Sequence, residues 1–381
     1  MSNSIAQFLT FLRNQYVKNL SQGVPLRIVC GNESADLDSV ASAIAYAYFS
    51  YAWKPTEPVV PIISIPHHDL KLRKDVEMVL EHIGVSDKSL FFLEDLQKWK
   101  MDHGLTIDGV LVDHNELQGP CKDLIDEVVG VIDHHEDQRI YYEQVKKTNG
   151  PYIVAPTGSC SSHVVNYWNG ILGSSDQSQL TDALTLCMSA IMMDTSKLKH
   201  KVEDSDMQAY AICKSVLTNM NEDAYYKRMK AAKNDVDGFS LDEILRKDYK
   251  ELVFPSRSAD LRVGVPTVVR SFEWMREKFG DNGTTKLWHS FLLEHKLDFL
   301  VVLTIKKANE GLKRELAIMA NSCDRAQQVE FLIQSLTPEL QLSKTSVFSP
   351  GSLVIETCDQ RMLSASRKQI VPLLKRTVAE L

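Results

Sequence analysis

Val131-Ile132-Asp133-His134-His135 is an apolar run that ends in an acid and two adjacent imidazoles. The same event occurs twice upstream. Leu26-Arg27-Ile28-Val29-Cys30-Gly31 runs into Asn32, Asp36 and Asp38, and Gly109-Val110-Leu111-Val112 runs into Asp113-His114-Asn115. Three buried-strand patterns thus each deliver carboxylates or histidines at their C-terminal ends. In open parallel α/β sheets that edge is where ligands bind. A fourth apolar segment, Ala190-Ile191-Met192-Met193, ends in Asp194.

The segments between these runs read as crossover helices. Ser39 to Tyr51 is alanine-rich with helical spacing. Residues 59–65 read as a strand, and 70–84 as an amphipathic helix stopped by Gly84. Short strands are predicted at 90–93, 109–112 and 128–132, then helices at 160–172, 179–193 and 204–218. Alternating strands and helices argue an α/β domain with a parallel sheet flanked by helices. Thr218-Asn219-Met220-Asn221-Glu222-Asp223 is polar and without periodicity, so the domain boundary is placed there, giving domains 1–218 and 224–381. The second is a smaller mixed α/β domain. It opens with a polar helix at 224–234. Its predicted strands are 263–269, 299–306, 314–320 and 352–356, and its predicted helices 270–280, 284–295, 324–335 and 366–380. Asp281-Asn282-Gly283 reads as a turn.

Composition agrees with a soluble globular chain of 381 residues, 44% hydrophobic and 24% charged. No apolar run approaches the ~18 residues of a membrane span. The N-terminal stretch puts Ile5, Phe8, Leu9 and Leu12 on one side, which suits a docking helix rather than a signal peptide. Seven cysteines without a CxxC pair fit reduced thiols, and so a cytoplasmic protein that needs no membrane. The net charge of −7 divides unevenly, −12 over residues 1–223 and +5 over 224–381. An acidic half suits divalent cations and a basic half an anionic substrate.

Each candidate side chain also has a plainer reading. Asp36, Asp38 or Ser39 can cap the helix that follows. Two acids and Asn32 together exceed what a cap needs, which favours cation ligation. Asp113 alone reads as a turn former. As a carboxylate it can also bridge two cations the ~3.5–4 Å apart that two-metal hydrolysis uses. One of His134 and His135 can ligate a cation while the other donates to a phosphate oxygen, with Asp133 fixing a tautomer. Asp194 is poorly placed for a helix dipole, which suggests another role. Lys233, Arg367 and Lys368 suit an anionic chain, or are a solvated face. Gly158-Ser159-Cys160-Ser161-Ser162 can hold an anion on free N–H groups or merely start a helix. Arg73 faces either substrate or solvent. No Walker loop, G-x-S-x-G elbow, HExxH or zinc cysteine cluster is present.

The Asp133-His134-His135 signature, with Asn32-x-x-x-Asp36-x-Asp38-Ser39, Asp113 and Asp194 in that order, resembles the DHH phosphoesterase superfamily. Ser366-Arg367-Lys368-Gln369 and the Lys233 segment resemble the second (DHHA2-like) domain of its pyrophosphatase and exopolyphosphatase branch. Within that branch the chain is most similar to the fungal cytosolic exopolyphosphatases. The resemblance implies an enzyme that splits the terminal phosphoanhydride of inorganic polyphosphate and releases orthophosphate. Two divalent cations would serve it, with Mg²⁺ favoured and Mn²⁺ or Co²⁺ as alternatives. Asp38, Asp113, His134 and Asp194 would surround one cation, and Asn32, Asp36 and Asp113 the other. His135 would contact phosphate. Lys233, Arg367 and Lys368 would bind the chain from the second domain. Family II pyrophosphatases carry a histidine where this chain has Asn32, and an oxygen ligand there suits Mg²⁺. Alternatives are an inorganic pyrophosphatase, suggested by His114, and a DHH nucleotide phosphodiesterase. Acidic net charge argues against nucleic acid, and a monomer is expected.

Overall fold

The computed structural model describes residues 4–19, 23–173, 177–308, 311–348 and 353–381. They form two compact units, Met1–Asp235 and Val236–Leu381. The first unit contains α1 (Ile5–Phe11), β1 (Leu26–Cys30), α2 (Leu37–Trp53), β2 (Val60–Ile62), α3 (Lys74–His82) and α4 (Leu93–Met101). It continues with β3 (Ile107–Val112), β4 (Glu127–Asp133), α5 (Tyr142–Thr148), β5 (Tyr152–Val154) and α6 (Cys160–Leu172). Then come α7 (Thr181–Asp194), α8 (Asp204–Val216) and α9 (Glu222–Asn234).

The five strands lie in the order β2-β1-β3-β4-β5, all parallel. Strand order reverses between β1 and β3, so the chain leaves these two neighbours towards opposite faces and opens a crevice beyond their carboxyl ends. The predicted site segments after β1, β3 and β4 all lie at this edge. α2 is apolar on nearly every side, with Ala41, Ala43, Ala45 and Ala47 buried, because α6 and α7 both pack on it. The N-terminal helix docks as expected, with Ile5, Phe8, Leu9 and Leu12 fully buried. Arg13 anchors it by a bidentate pair with Asp95 at 2.9 and 3.1 Å.

Several local readings need correction. The strand expected at 90–93 is a single bridge between Ile63 and Phe92, after which α4 begins. The helix at 70–84 is split, with a 3₁₀ turn over His67–Leu72 before α3. Those aside, the compact first unit runs through Asp235, because α9 lies on α3 and α7. Lys233 therefore belongs to the first unit.

The second unit contains α10 (Leu241–Lys247), β6 (Glu251–Pro255), β7 (Asp260–Gly264), β8 (Thr267–Val268), α11 (Phe272–Phe279) and α12 (Asp281–Glu294). β9 (Phe299–Thr304), β10 (Lys306–Ala308), β11 (Gly311–Ala320), α13 (Ala326–Leu340), β12 (Leu342–Phe348), β13 (Val354–Gln360) and α14 (Arg367–Val378) follow. The sheet is mixed, running β12-β13-β11-β9-β7-β6 with β10 on β11 and β8 on β9. The turn predicted at 281–283 is the first turn of α12. The break falls one residue earlier, at Gly280 with φ of 75°. Ser352, in the predicted strand 352–356, lies outside the described residues. No helix among them is long and apolar enough to cross a membrane.

Gly31 sets the exit from β1. A Cβ there would stand 2.6 Å from Ser39 Cβ, 2.8 Å from its carbonyl oxygen and 2.9 Å from its Cα. Backbone atoms cannot rotate away, so strand end or helix start must shift. We expect Gly31→Ala to destabilise the protein by about 1–3 kcal/mol, read as a lowered midpoint in urea unfolding.

Candidate metal centre

The loop after β1 is held from several directions. Asp36 is the N-cap of α2 and accepts from Ser39 N at 3.1 Å. The capping reading is thus correct for Asp36. Arg73 is buried and donates Nε and Nη2 to the Ser34 carbonyl at 3.1 and 2.7 Å. It does not face solvent, and it pins the loop.

Asp38 lies in the first turn of α2, yet its carboxylate sits on the first turn of another helix. Oδ1 accepts from Ser159 Oγ at 2.8 Å, Ser161 N at 2.9 Å, Ser161 Oγ at 2.7 Å and Ser42 Oγ at 3.3 Å. Oδ2 accepts from Cys160 N at 2.6 Å. The Gly158–Ser162 turn does hold an anion on its N–H groups, and the anion is the protein's own Asp38. The turn is fastened from its other side by Asp206, fully buried, which accepts from Gly158 N at 2.7 Å and Ser162 Oγ at 2.6 Å. A Cβ on Gly158 would stand 2.5 Å from both the Lys201 carbonyl and Thr195 Cγ2, so the turn also packs on the segment after Asp194.

Asp113 ends β3 with φ of 62°. A non-glycine residue in the left-handed region carries a backbone cost, and such cost collects at functional sites. Its Oδ2 accepts from Asn32 Nδ2 at 2.7 Å and Ser39 Oγ at 2.6 Å. Its Oδ1 lies 3.2 Å from His134 Nε2 and 3.9 Å from His135 Nδ1. His134 Nδ1 pairs with the Thr157 carbonyl at 3.0 Å, so Nδ1 carries the proton. In the neutral ring, Nε2 then faces a carboxylate oxygen with a lone pair. Either an imidazolium or a shared cation resolves that contact. Two ligand atoms each about 2.1 Å from one cation stand about 3 Å apart, so the pair fits a divalent ion. The side chains of Asp113, Asp133, His134 and His135 bring one ligand atom each within 4.8 Å of one another.

Asn32 reaches the site but donates to Asp113, while its Oδ1 accepts from Ser34 N at 2.8 Å. Asp133 is fully buried. Its Oδ1 accepts from His134 N at 2.7 Å and His135 Nδ1 at 2.8 Å, and its Oδ2 from Asn115 Nδ2. Asn115, close to Asp113 in sequence, turns to Asp133 instead; Asp206, like the Cys160 thiol, escapes sequence reading because its partners are distant in the chain. His114 Nδ1 turns to the Val112 carbonyl at 2.9 Å.

Two kinds of acid emerge. Burial pushes Asp113 up, and the charges of Asp38 and Asp36 add to this against the opposing hydrogen bond from His134. Burial and the charge of Asp38 push Asp194 well above the carboxylate range, opposed by the nearby Lys233 ammonium. Four acids that repel one another are what added cations would relieve. For Asp133, burial raises the pKa, but the hydrogen bond and charge of His135 outweigh it and bring it down to about 2.

In the second unit, Arg367 begins α14 and donates Nη2 to Asp248 Oδ1 at 2.6 Å and Nη1 to its carbonyl at 2.8 Å. Lys368 beside it is exposed.

The sequence pattern of the DHH family N-terminal domain matches residues 27–191, and that of the DHHA2 domain matches residues 227–377. A Schizosaccharomyces pombe protein provisionally named an exopolyphosphatase is 30% identical across all of this chain and 97% of its own length. The Homo sapiens exopolyphosphatase PRUNE1 is 27% identical over 94% of this chain and 77% of its own. A manganese-dependent inorganic pyrophosphatase of Methanocaldococcus jannaschii is 24% identical over 92% of this chain and 99% of its own. Among solved structures, a Methanococcus jannaschii protein provisionally titled a family II inorganic pyrophosphatase shares the fold. Its TM-score is 0.60 at 20% identity, covering 92% of this chain and 99% of its own.

Folding lowers the Asp133 pKa from its ordinary 3.8 to about 2. The carboxylate's contribution to stability is therefore complete above pH ~4 and is lost as pH falls towards 2. Denaturant unfolding of metal-free protein at pH 5, 4 and 3 should show wild type losing its advantage over Asp133→Asn across that window. A constant difference between them would remove the low pKa.

Proposed function

The chain belongs to the DHH family that carries a C-terminal DHHA2 domain, and from that premise we propose that it is a metal-dependent exopolyphosphatase. Its reaction is hydrolysis of the terminal phosphoanhydride of linear inorganic polyphosphate, with release of orthophosphate. One observation carries the chemistry. Asp113 Oδ1 and His134 Nε2 stand 3.2 Å apart among acids whose pKa values are raised by burial and mutual repulsion. The substrate follows the relatives named exopolyphosphatases, which match nearly the whole chain.

Asp113 and His134 would hold the first cation, with Asp194 and the second oxygen of Asp38. Asp38 Oδ1 is saturated by four donors, whereas Oδ2 has one. Asn32 and Asp36, with Asp113, would serve a second cation. Divalent cations bound there would acidify a water and neutralise phosphoryl oxygens. Mg²⁺ is preferred because oxygen ligands predominate, with Mn²⁺, named for the pyrophosphatase relative, and Co²⁺ as alternatives.

The side chains do the rest. Asp133 holds His135 by Nδ1, which leaves Nε2 to exchange a proton or hydrogen bond with a phosphate oxygen. Thr157 holds the His134 tautomer. Lys233 supplies positive charge near Asp194, and Arg367 and Lys368 supply it on α14 for the anionic chain. No protein nucleophile takes part. The protein works as a cytoplasmic monomer, without nucleic acid.

Pyrophosphate hydrolysis is the second reading, favoured by the Methanocaldococcus jannaschii relative. Phosphate release should be rapid from long-chain polyphosphate with Mg²⁺ or Mn²⁺ and should leave pyrophosphate behind. Rapid pyrophosphate cleavage with little action on long chains would move the assignment to pyrophosphatase. Asp113→Ala should lower kcat/KM for polyphosphate by roughly 10³-fold or more. Unchanged hydrolysis by that variant would sink the cation assignment.

A further inference from the structure

We propose that Cys160 is a positioning residue whose thiol holds Asp113 in its cation-binding conformation. This rests on the cation reading above. Asp113 must continue out of β3 with φ of 62° to aim its carboxylate at His134. Three contacts meet at that point. Asp113 N donates to the Ile132 carbonyl at 3.0 Å and to Cys160 Sγ at 3.2 Å, and Cys160 Sγ donates in turn to the Ile132 carbonyl at 3.2 Å. The thiol closes a triangle between the ends of β3 and β4. It is fully buried, so no water replaces it there.

Cys160 also faces the other side of the centre. Its backbone N–H donates to Asp38 Oδ2 at 2.6 Å. One residue at the head of α6 thus holds Asp38 through its main chain and Asp113 through its side chain. The distance between those two acids is set by how far the sulfur reaches. Serine keeps a donor and acceptor but is shorter, and alanine removes both. Cys213 is an equally buried thiol, on α8, and supports neither acid.

The test is Mn²⁺ titration of the metal-free, full-length protein by calorimetry, with thermal unfolding of the same samples. Cys160→Ala should bind Mn²⁺ about 10–100-fold more weakly, the size expected when a partner that orients a ligand is lost. Cys160→Ser should fall between, and it reads the same contact if the alanine variant fails to fold. Cys213→Ala should lose thermal stability without losing Mn²⁺ affinity. Cys160→Ala binding as tightly as the parent overturns the proposal and leaves the cation assignment standing. Equal weakening in Cys213→Ala also overturns it, because general loosening would then account for the effect. A parent that takes up no Mn²⁺ removes the cation assignment and the proposal together.

Discussion

A carboxylate on the first turn of a helix organises this structure. Asp38 belongs to the loop and helix that follow β1, and it is buried against the start of α6, more than a hundred residues later in the chain. An ionised acid is costly to bury unless donors surround it. Here two backbone N–H groups at the positive end of α6 and three hydroxyls provide them. The same contact brings Cys160 against the end of β3. It places the Gly158 turn over the segment after Asp194. Segments scattered from residue 32 to residue 206 are thereby gathered into one site.

The crevice at the sheet's switch point explains why the acids meet, and electrostatics explains what they need. Asp133 and Asp113 end adjacent parallel strands, yet their environments push their pKa values in opposite directions. Asp133 has His135, Asn115 and a backbone N–H, and stays ionised at low pH. Asp113 and Asp194 have other acids, and the protein itself does not fully compensate them. Groups pushed apart in this way take different roles. Asp133 orients a histidine, and Asp113, raised by burial and its acidic neighbours, is the carboxylate suited to a cation. Asp206 is a third kind, a fully buried acid that fastens the α6 turn.

Much of the layout is legible because helices and strands here follow local periodicity. β1, β3, β4, α2, α6 and α7 fall where apolar spacing predicts, and the ligand-type residues follow the strands as expected. Segments 90–93 and 281–283 depart from their local pattern for physical reasons. Phe91 and Phe92 are buried by packing, not by pairing in the sheet. Asp281 starts α12 because Gly280, with positive φ, absorbs the change of direction. The polar stretch at 218–223 resembles a linker, yet α9 beyond it packs back on α3 and α7.

By itself the sequence determined the α/β class, the parallel sheet of the first unit, and the acids and histidines on its carboxyl edge. Hydropathy period and residue type carry that information locally. Only the tertiary structure decided which atoms face one another: that Asp36 caps α2 while Asp38 caps α6, that Asn32 and Ser39 both donate to Asp113, that Arg73 is an internal clamp, and that Lys233 stands near Asp194 in the first unit. Apart from the Asp36 cap, those pairings join residues tens to more than a hundred positions apart. Their geometry is set by the packing of α2, α6 and α7 over the sheet, and no local periodicity encodes it.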